Sequence, residues 1–261
     1  MQVQNDCANI LREESAFAVT IQDPITLKQI RYSVTNDTTL WRAQSLFKKE
    51  PITIEWIRSF KKNSVFYDVG ANVGMYSIFA ACVNEVKVYS FEPESNNFQI
   101  LMENILANDL GSKIKPYPIG ISNLSELTTL YLNRFEKGSS HHVVGESLDH
   151  NLNKIKAKLK QGIFSSTLND LNKIWSLPKP NYLKIDVDGT EYKIIEKSHD
   201  LLRSKELQSV LVEINPNRDQ DQQIIKTLES FDFFYDQKQV DDAKRKSGPH
   251  IGYAEYLFYK K

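Results

Sequence analysis

The sequence predicts a doubly wound α/β fold with a mostly parallel sheet, and three observations lead there. An apolar strand, Val65 to Asp68, runs into a glycine-spaced turn, Gly70-Ala71-Asn72-Val73-Gly74. A second apolar strand, Lys87 to Glu92, ends on a carboxylate. From there onward, apolar runs of strand length alternate with segments of helical spacing. Such alternation implies parallel strands with helices on both faces. A glycine turn after the first strand, with an acid about twenty residues on, is where a nucleotide-type cofactor meets the backbone.

The elements follow in order. Residues 15 to 35 alternate like strands around Asp23-Pro24 and predict a hairpin. Thr39 to Phe47 and Pro51 to Phe60 have helical spacing, with Pro51 suited to a helix start. Residues 1 to 62 are therefore expected to form a small hairpin and helical cap, and residues 63 to 261 the nucleotide-type domain. Trp41, within the cap, is expected to pack on the core rather than line a pocket. Met75 to Val83 and Glu94 to Ala107 read as helices, and Ile114 to Tyr117 with Ile119 as the third strand. Leu127 to Leu132 reads as a further strand, Tyr182 to Asp186 as a buried one, Glu191 to Leu202 as a helix and Val210 to Ile214 as a strand. Ile224 to Phe231 is helical, and Phe233 to Tyr235 with Tyr253 to Tyr259 closes the sheet as an antiparallel edge.

One polar segment breaks this rhythm. Asn133 to Lys160 carries Gly138, Gly145, His141 and His142, and its last part, Asn153 to Lys160, reads as a short basic helix. A long insertion of this kind is commonly either a functional lid or a mobile loop, and at the carboxyl ends of the strands it is able to cover an acceptor.

Composition narrows the function classes. The chain of 261 residues suits one α/β domain with additions, and 33 basic residues balance 33 acidic ones. A phosphate backbone demands a basic footprint, so no nucleic-acid partner is expected. Two cysteines, Cys7 and Cys82, cannot build a metal cage. The polar start, Met1 to Asp6, lacks a signal-peptide pattern and no run approaches a membrane span, so a cytoplasmic protein is expected.

The turn separates cofactor classes. A dinucleotide fingerprint reads G-x-G-x-x-G, whereas here the pattern is Asp68-x-Gly70-x-Asn72-x-Gly74, with Met75 where the third glycine belongs. No lysine follows closely to hold a phosphate. An acid at the strand end repels phosphate and accommodates an ammonium group. S-adenosylmethionine, with no phosphate, a sulfonium and an α-amino group, fits that chemistry.

Five runs in order, DVGANVGMYS from Asp68, FEPESNN from Phe91, STLNDL from Ser166, YLKIDVDGTEYKII from Tyr182 and VLVEINP from Val210, resemble FkbM-type S-adenosylmethionine-dependent methyltransferases. The resemblance covers residues 40 to 261 and implies a Rossmann-like class I methyltransferase fold. Two positions depart from it: the family has Glu where this chain has Asp188, and Asp where it has Asn169, so Asn169 is given no acid role.

The resemblance and the turn together set the site expectations. Gly70, Asn72 and Gly74 should cradle the methionine part, with Asp68 near the ammonium and Glu92 accepting from the ribose hydroxyls. Asn97 falls in the pattern Glu92-Pro93-x-x-x-Asn97, a recurrent family position, and Pro93 joins the cofactor set. Ile119 and the backbone near Gly120 are expected beside adenine. Methyl transfer needs a positioned nucleophile and, for a hydroxyl, a base. Asp186 is the first candidate and is also expected to face the cofactor. Of Asp186 and Asp188, only one is expected to face the cleft directly. Asp188 and Glu191 are expected to support the loop, and capping of the following helix is the simpler role for both. Asp188 is kept among the catalytic candidates. His142 joins it because histidine titrates near neutral pH, although adjacent loop histidines commonly face solvent. Glu213, ending another strand, can reach the same cleft. Asp186, Asp188 and Glu213 could hold Mg²⁺, but their spacing does not demand it and no metal is predicted. The expected function is O-methylation of a hydroxyl on a sugar, glycan or small metabolite. A nicotinamide-dependent oxidoreductase and a non-catalytic partner module are the alternatives.

Overall fold

The structure is a computed structural model that describes residues 17–148, 153–154, 156–157, 159–246, 248 and 250–261. The polar start, Cys7 and the first two residues of the expected hairpin lie outside the described residues.

The chain opens on a hairpin, β1 (Ala18–Gln22) and β2 (Gln29–Ser33), followed by helices α1 (Asp37–Ser45) and α2 (Pro51–Arg58). The glycine turn joins β3 (Val65–Val69) to α3 (Met75–Val83), and β4 (Lys87–Phe91), α4 (Ser95–Ala107) and β5 (Ile114–Tyr117) complete the first half. Four strands of a second sheet come next: β6 (Gly120–Ile121), β7 (Glu126–Leu132), β8 (Val143–Val144) and β9 (Leu159–Ser166). The second half runs α5 (Leu168–Lys173), β10 (Tyr182–Ile185), α6 (Glu191–Glu196), α7 (His199–Arg203) and β11 (Ser209–Ile214). It ends with α8 (Asp219–Ser230), β12 (Phe233–Tyr235), α9 (Gln237–Ala243) and β13 (Ala254–Lys260).

The main sheet has the order β12-β13-β11-β10-β3-β4-β5. Strands β5, β4, β3, β10 and β11 run parallel, and β13 lies antiparallel to both β11 and β12. The order reverses at β3, whose successor β4 lies on one side and β10 on the other. A crevice opens at the carboxyl ends of the strands at such a switch point.

Local chemistry sets the element ends. Asn36 caps α1 by accepting from Thr39 N at 2.8 Å, and Thr39 Oγ1 accepts in return from Asn36 N at 3.1 Å. Glu94 caps α4, its carboxylate accepting from Asn96 N and Asn97 N at 3.0 and 2.7 Å. Helix α3 buries Met75, Tyr76, Ile78, Phe79, Ala80 and Ala81, because it is clamped between the main sheet and the N-terminal elements.

Those N-terminal elements share one core with the sheet: Ile30, Tyr32, Leu46 and Ile57 pack with Phe66, Phe79 and Val88. Trp56 is the joint. Its ring meets Phe60 and Phe66 edge-on at 4.8 and 5.7 Å, and its Nε1 donates to Ser209 Oγ on β11 at 2.8 Å. Asp23 fixes the hairpin turn through Thr26 N at 3.0 Å and pairs with the Arg58 guanidinium. Burial works against its charge, but Arg58 and Thr26 outweigh it and hold the carboxyl well below the usual range.

Several expectations are corrected. Leu127 to Leu132 is a strand, but of the separate sheet ordered β6-β9-β7-β8. Asn153 to Lys160 contains no helix among its described residues: Lys154 bridges to Leu148, and Leu159 already opens β9. The reason is pairing, since β9 runs antiparallel to β7 over seven residues from Leu159 to Ser165. Glu191 to Leu202 is two helices, α6 and α7, and Ser198 Oγ donates to Ile194 O at 2.5 Å where they part. Asn169 Oδ1 accepts from Leu201 N at 3.1 Å, a structural contact that suits an amide.

Truncating Trp56 to Ala should cost about 3–5 kcal/mol, the range for a large buried aromatic. Denaturant unfolding followed by circular dichroism measures it, and a cost below about 1 kcal/mol would remove Trp56 as the joint between cap and sheet.

Candidate active site

The crevice at the carboxyl ends holds a cavity of about 270 Å³. Its floor is the turn after β3. Gly70 sits at φ +78°, and a Cβ there would lie 1.9 Å from the carbonyl oxygen of Asp186, so only glycine fits. The Gly70 and Ala71 amides donate to Phe91 O at 3.0 and 3.1 Å, which ties the turn to the end of β4.

Glu92 follows β4 directly. Its Oε2 accepts from Asn72 N at 2.7 Å and its Oε1 from Glu94 N at 2.9 Å. Burial pushes its carboxyl up to about 7, against the pull of those two amides. Each carboxylate oxygen keeps a further lone pair to offer a ligand hydroxyl.

A strap from the long insertion crosses this floor. The Ser139 carbonyl accepts from Asn72 Nδ2 at 2.7 Å and Asn97 Nδ2 at 3.0 Å, and Asn97 Oδ1 accepts from Gly138 N at 2.8 Å. On its other flank, Asn36 Nδ2 donates to Lys137 O at 2.9 Å and Arg42 Nε to Gly138 O at 2.6 Å. The strap delivers His142 into the cavity, where its Nε2 meets Ser139 Oγ at 3.0 Å and, among the described residues, its Nδ1 has no hydrogen-bond partner. Burial, with the neighbouring His141 and Arg42, lowers the imidazole to about 4, so it is neutral at pH 7.

The opposite wall is the loop after β10. Strand β10 stops at Ile185 and Asp188 takes a left-handed φ of 60°; Asp186 and Asp188, two residues apart as on one face of a strand, both line the cavity. That corrects the expectation that only one of them faces it. Lys184 Nζ donates to Asp186 Oδ2 at 2.8 Å and lies 5.0 Å from the Tyr76 ring centre. Burial opposes ionisation of Asp186, but Lys184 and Lys49 prevail and hold the carboxyl far below its usual value. Asp188 Oδ2 accepts from His141 N at 2.6 Å, and Glu191 Oε1 accepts from Val187 N and Gly189 N at 3.0 and 3.1 Å. Glu213 ends β11 in the same cavity, paired with Arg245, which also reaches Glu255 at 3.4 Å.

Of the residues singled out from the sequence, Gly70, Asn72, Glu92, Pro93, Asn97, Asp186, Asp188 and His142 therefore meet around one cavity. Three do not line it. Asp68 is buried behind the turn, where its Oδ2 accepts from Ser77 Oγ at 2.6 Å and, among the described residues, its Oδ1 has no partner. Gly74, at φ +82°, starts α3, and a Cβ there would lie 2.3 Å from Leu101 Cδ1. Ile119 packs into the second core, and the next two residues, Gly120 and Ile121 of β6, face the cavity instead. The shift has a simple cause: β6 pairs with β9, which turns the chain at that point.

Other lining residues escaped the sequence reading. Trp41, expected in the core, is 51% exposed and lines the cavity beside Arg42. Their signal was available, because Trp41, Arg42 and Ser45 share a helix face by spacing. Val144, Arg245 and His250 carried no such signal, being brought in by strand pairing and by the final turn of the chain.

A seven-stranded sheet with its next-to-last strand in space antiparallel, a glycine turn after β3 and an acid after β4 together define a Rossmann-like class I methyltransferase architecture. The sequence pattern of the methyltransferase FkbM domain matches residues 68–235. The chain belongs to the FkbM methyltransferase family. It is similar to the hexuronic acid methyltransferase AglP of Haloferax volcanii, 24% identical over 189 residues that make up 72% of each chain. A crystal structure of the FkbM methyltransferase of Methylobacillus flagellatus KT overlays with a TM-score of 0.49 at 14% identity, covering 77% of this chain and 44% of that one. A precorrin-6y C5,15-methyltransferase of Geobacter metallireducens overlays at 0.47 and 10% identity, over 88% and 94% of the two chains. Overlays this partial add nothing to the family assignment, which rests on sequence.

Gly70→Ala should destabilise the protein by at least about 2 kcal/mol, combining left-handed strain with a backbone clash. Gly111→Ala, where a Cβ meets nothing within 4 Å, is the control and should stay within about 0.5 kcal/mol. Equal thermal midpoints for the two variants would refute the close approach of the turn to β10.

Proposed function

We propose that this protein transfers a methyl group from S-adenosylmethionine to a hydroxyl of a sugar or glycan, working in the cytoplasm. The observation that carries the reading is Glu92, a buried carboxylate held by two backbone amides at the mouth of the glycine turn. A ribose diol supplies the two donors that would favour its ionised form. Pro93, Gly120, Ile121 and Val144 offer a mostly apolar slot for adenine, and the turn from Gly70 to Asn72 leaves room for the methionine part. The residues present therefore fit the cofactor. When bound, S-adenosylmethionine supplies a methyl group whose bond to sulfur breaks with the electron pair remaining on sulfur.

The chain's own residues have the rest of the work. Asp186 stays ionised at neutral pH and accepts a hydrogen bond from the acceptor hydroxyl, which orients the oxygen lone pair. His142, neutral and with a free Nδ1, is a second acceptor for that proton. Asp188 holds the strap against the loop through His141 N and completes the wall. As the new O–C bond forms, the hydroxyl proton leaves to one of these groups and then to solvent. We take residues 63–261, with the insertion 133–160, as the methyltransferase domain and residues 1–62 as a small N-terminal cap. The sugar acceptor is carried over from the name of the Haloferax relative. The family assignment and Met75 in place of a third glycine disfavour a nicotinamide cofactor.

Calorimetric titration with S-adenosylhomocysteine, with NADH as control, should show binding of the first alone. Affinity should also depend on pH through Glu92. The free carboxyl titrates near 7 and the ribose hydroxyls need it ionised, so affinity is weak below that point and rises as pH climbs past it. The gain from pH 6 to pH 8 should be about tenfold, and Glu92→Gln should abolish it. A flat profile in the wild type would displace Glu92 from the ribose.

Asp186→Asn should lower turnover by at least about 100-fold while S-adenosylhomocysteine affinity changes little. Undiminished turnover would take Asp186 out of the mechanism.

A further inference from the structure

The cations that line the cavity are almost all spoken for. Lys49 pairs with Glu50 at 2.6 Å, Lys184 with Asp186 at 2.8 Å, and Arg245 with Glu213 and Glu255. Arg42 differs. Its Nε donates to the Gly138 carbonyl at 2.6 Å, and among the described residues no carboxylate pairs with its guanidinium. That one contact fixes the side chain against the strap, one residue before the Ser139 carbonyl that Asn72 and Asn97 share. Among the described residues neither Nη nitrogen has an acceptor, and a guanidinium edge of two parallel donors matches a carboxylate. Beside it stands Trp41, half exposed and lining the same cavity. A large indole kept at a cavity mouth instead of in the core offers a flat apolar face with the area of a sugar ring.

We propose that Trp41 and Arg42 form the acceptor subsite, and that the acceptor is a uronic acid whose carboxylate is held by Arg42 while its ring lies on Trp41. This rests on the methyltransferase reading above and names its substrate class. A monoanion suits the site better than a phosphate dianion, because the Asp186 carboxylate borders the same cavity and repels extra negative charge. The carboxylate is the anchor and a ring hydroxyl is the reacting atom, since pairing with a guanidinium withdraws charge from the carboxylate oxygens. Methylation then converts that hydroxyl to a methyl ether with release of one proton.

The test uses the full chain loaded with S-adenosylhomocysteine and titrated calorimetrically with methyl glucuronide, methyl galacturonide, their neutral methyl glycosides and glucose 6-phosphate. At least one uronide should bind about tenfold or more tightly than its neutral counterpart. Arg42→Gln should erase that preference, Arg42→Lys should keep part of it, and Trp41→Ala should weaken uronide and neutral sugar alike. S-adenosylhomocysteine affinity should stay the same in all three variants, which separates loss of the subsite from a displaced strap. Equal binding of acid and neutral sugars, no binding of either by the loaded protein, or a preference that survives Arg42→Gln would each overturn the subsite. Tighter binding of glucose 6-phosphate than of either uronide would overturn the carboxylate assignment. Failure of S-adenosylhomocysteine itself to bind would instead defeat the cofactor reading on which the subsite rests.

Discussion

The rest of the structure depends on one buried ammonium group. Lys184 sits in the middle of the sheet, on the strand next to the glycine turn, and is 1% exposed. Taking such a charge out of water costs several kcal/mol unless it is closely compensated. The compensation comes from separate parts of the chain: Asp186 at 2.8 Å, the face of Tyr76 on α3, and the fields of Glu50 from the cap and Asp68 behind the turn. Burial alone would drive the ammonium to lose its proton, yet these partners hold its pKa above the usual value. The N-terminal helices, the glycine turn and the loop after β10 are thereby fixed relative to one another by a single charge.

A second constraint links the two halves of the cavity. The Ser139 carbonyl has two lone pairs, and both are taken, one by Asn72 and one by Asn97. The strap is thus fastened to the glycine turn after β3, while Asp188, through the His141 amide, fastens it to the loop after β10. Anything that shifts one wall of the cavity is felt at the other through about four residues of chain. The insertion is part of the site itself, and its glycine at residue 138, at φ +81° and packed near Thr38 and Thr39, is there because the strap must pass close to α1.

The places where sequence and structure part company are those where long-range pairing decides. The second sheet collects β6, β7, β8 and β9 from both sides of the polar insertion, and its small core is Leu130, Leu132 and Ile163 with Val144. Of these strands only β7 has a pattern that announces it by itself; Leu159 to Ser166 depends on its distant partner, and Asn153 to Lys160 has the spacing of a helix instead. The same pairing turned Ile119 away from the cavity and brought Gly120 and Ile121 to it. Asp68 is the other instructive case: strand alternation puts it at the turn, but Ser77 captures its carboxylate from behind.

By itself the sequence determined the fold class, the order of the main strands, the glycine turn and the carboxylate that faces it. These are local properties, set by residue spacing, by the backbone freedom of glycine and by the burial of apolar runs. Only the tertiary structure decided which charges neutralise one another, that Asp186 and Asp188 both face the cavity, that Trp41 stands at its mouth, and that Arg42 has no carboxylate partner among the described residues. Several of those outcomes depend on segments distant in sequence, Arg42 meeting Gly138 across 96 residues, and their energies come from partners and from lost solvent. Spacing along a chain carries no record of either.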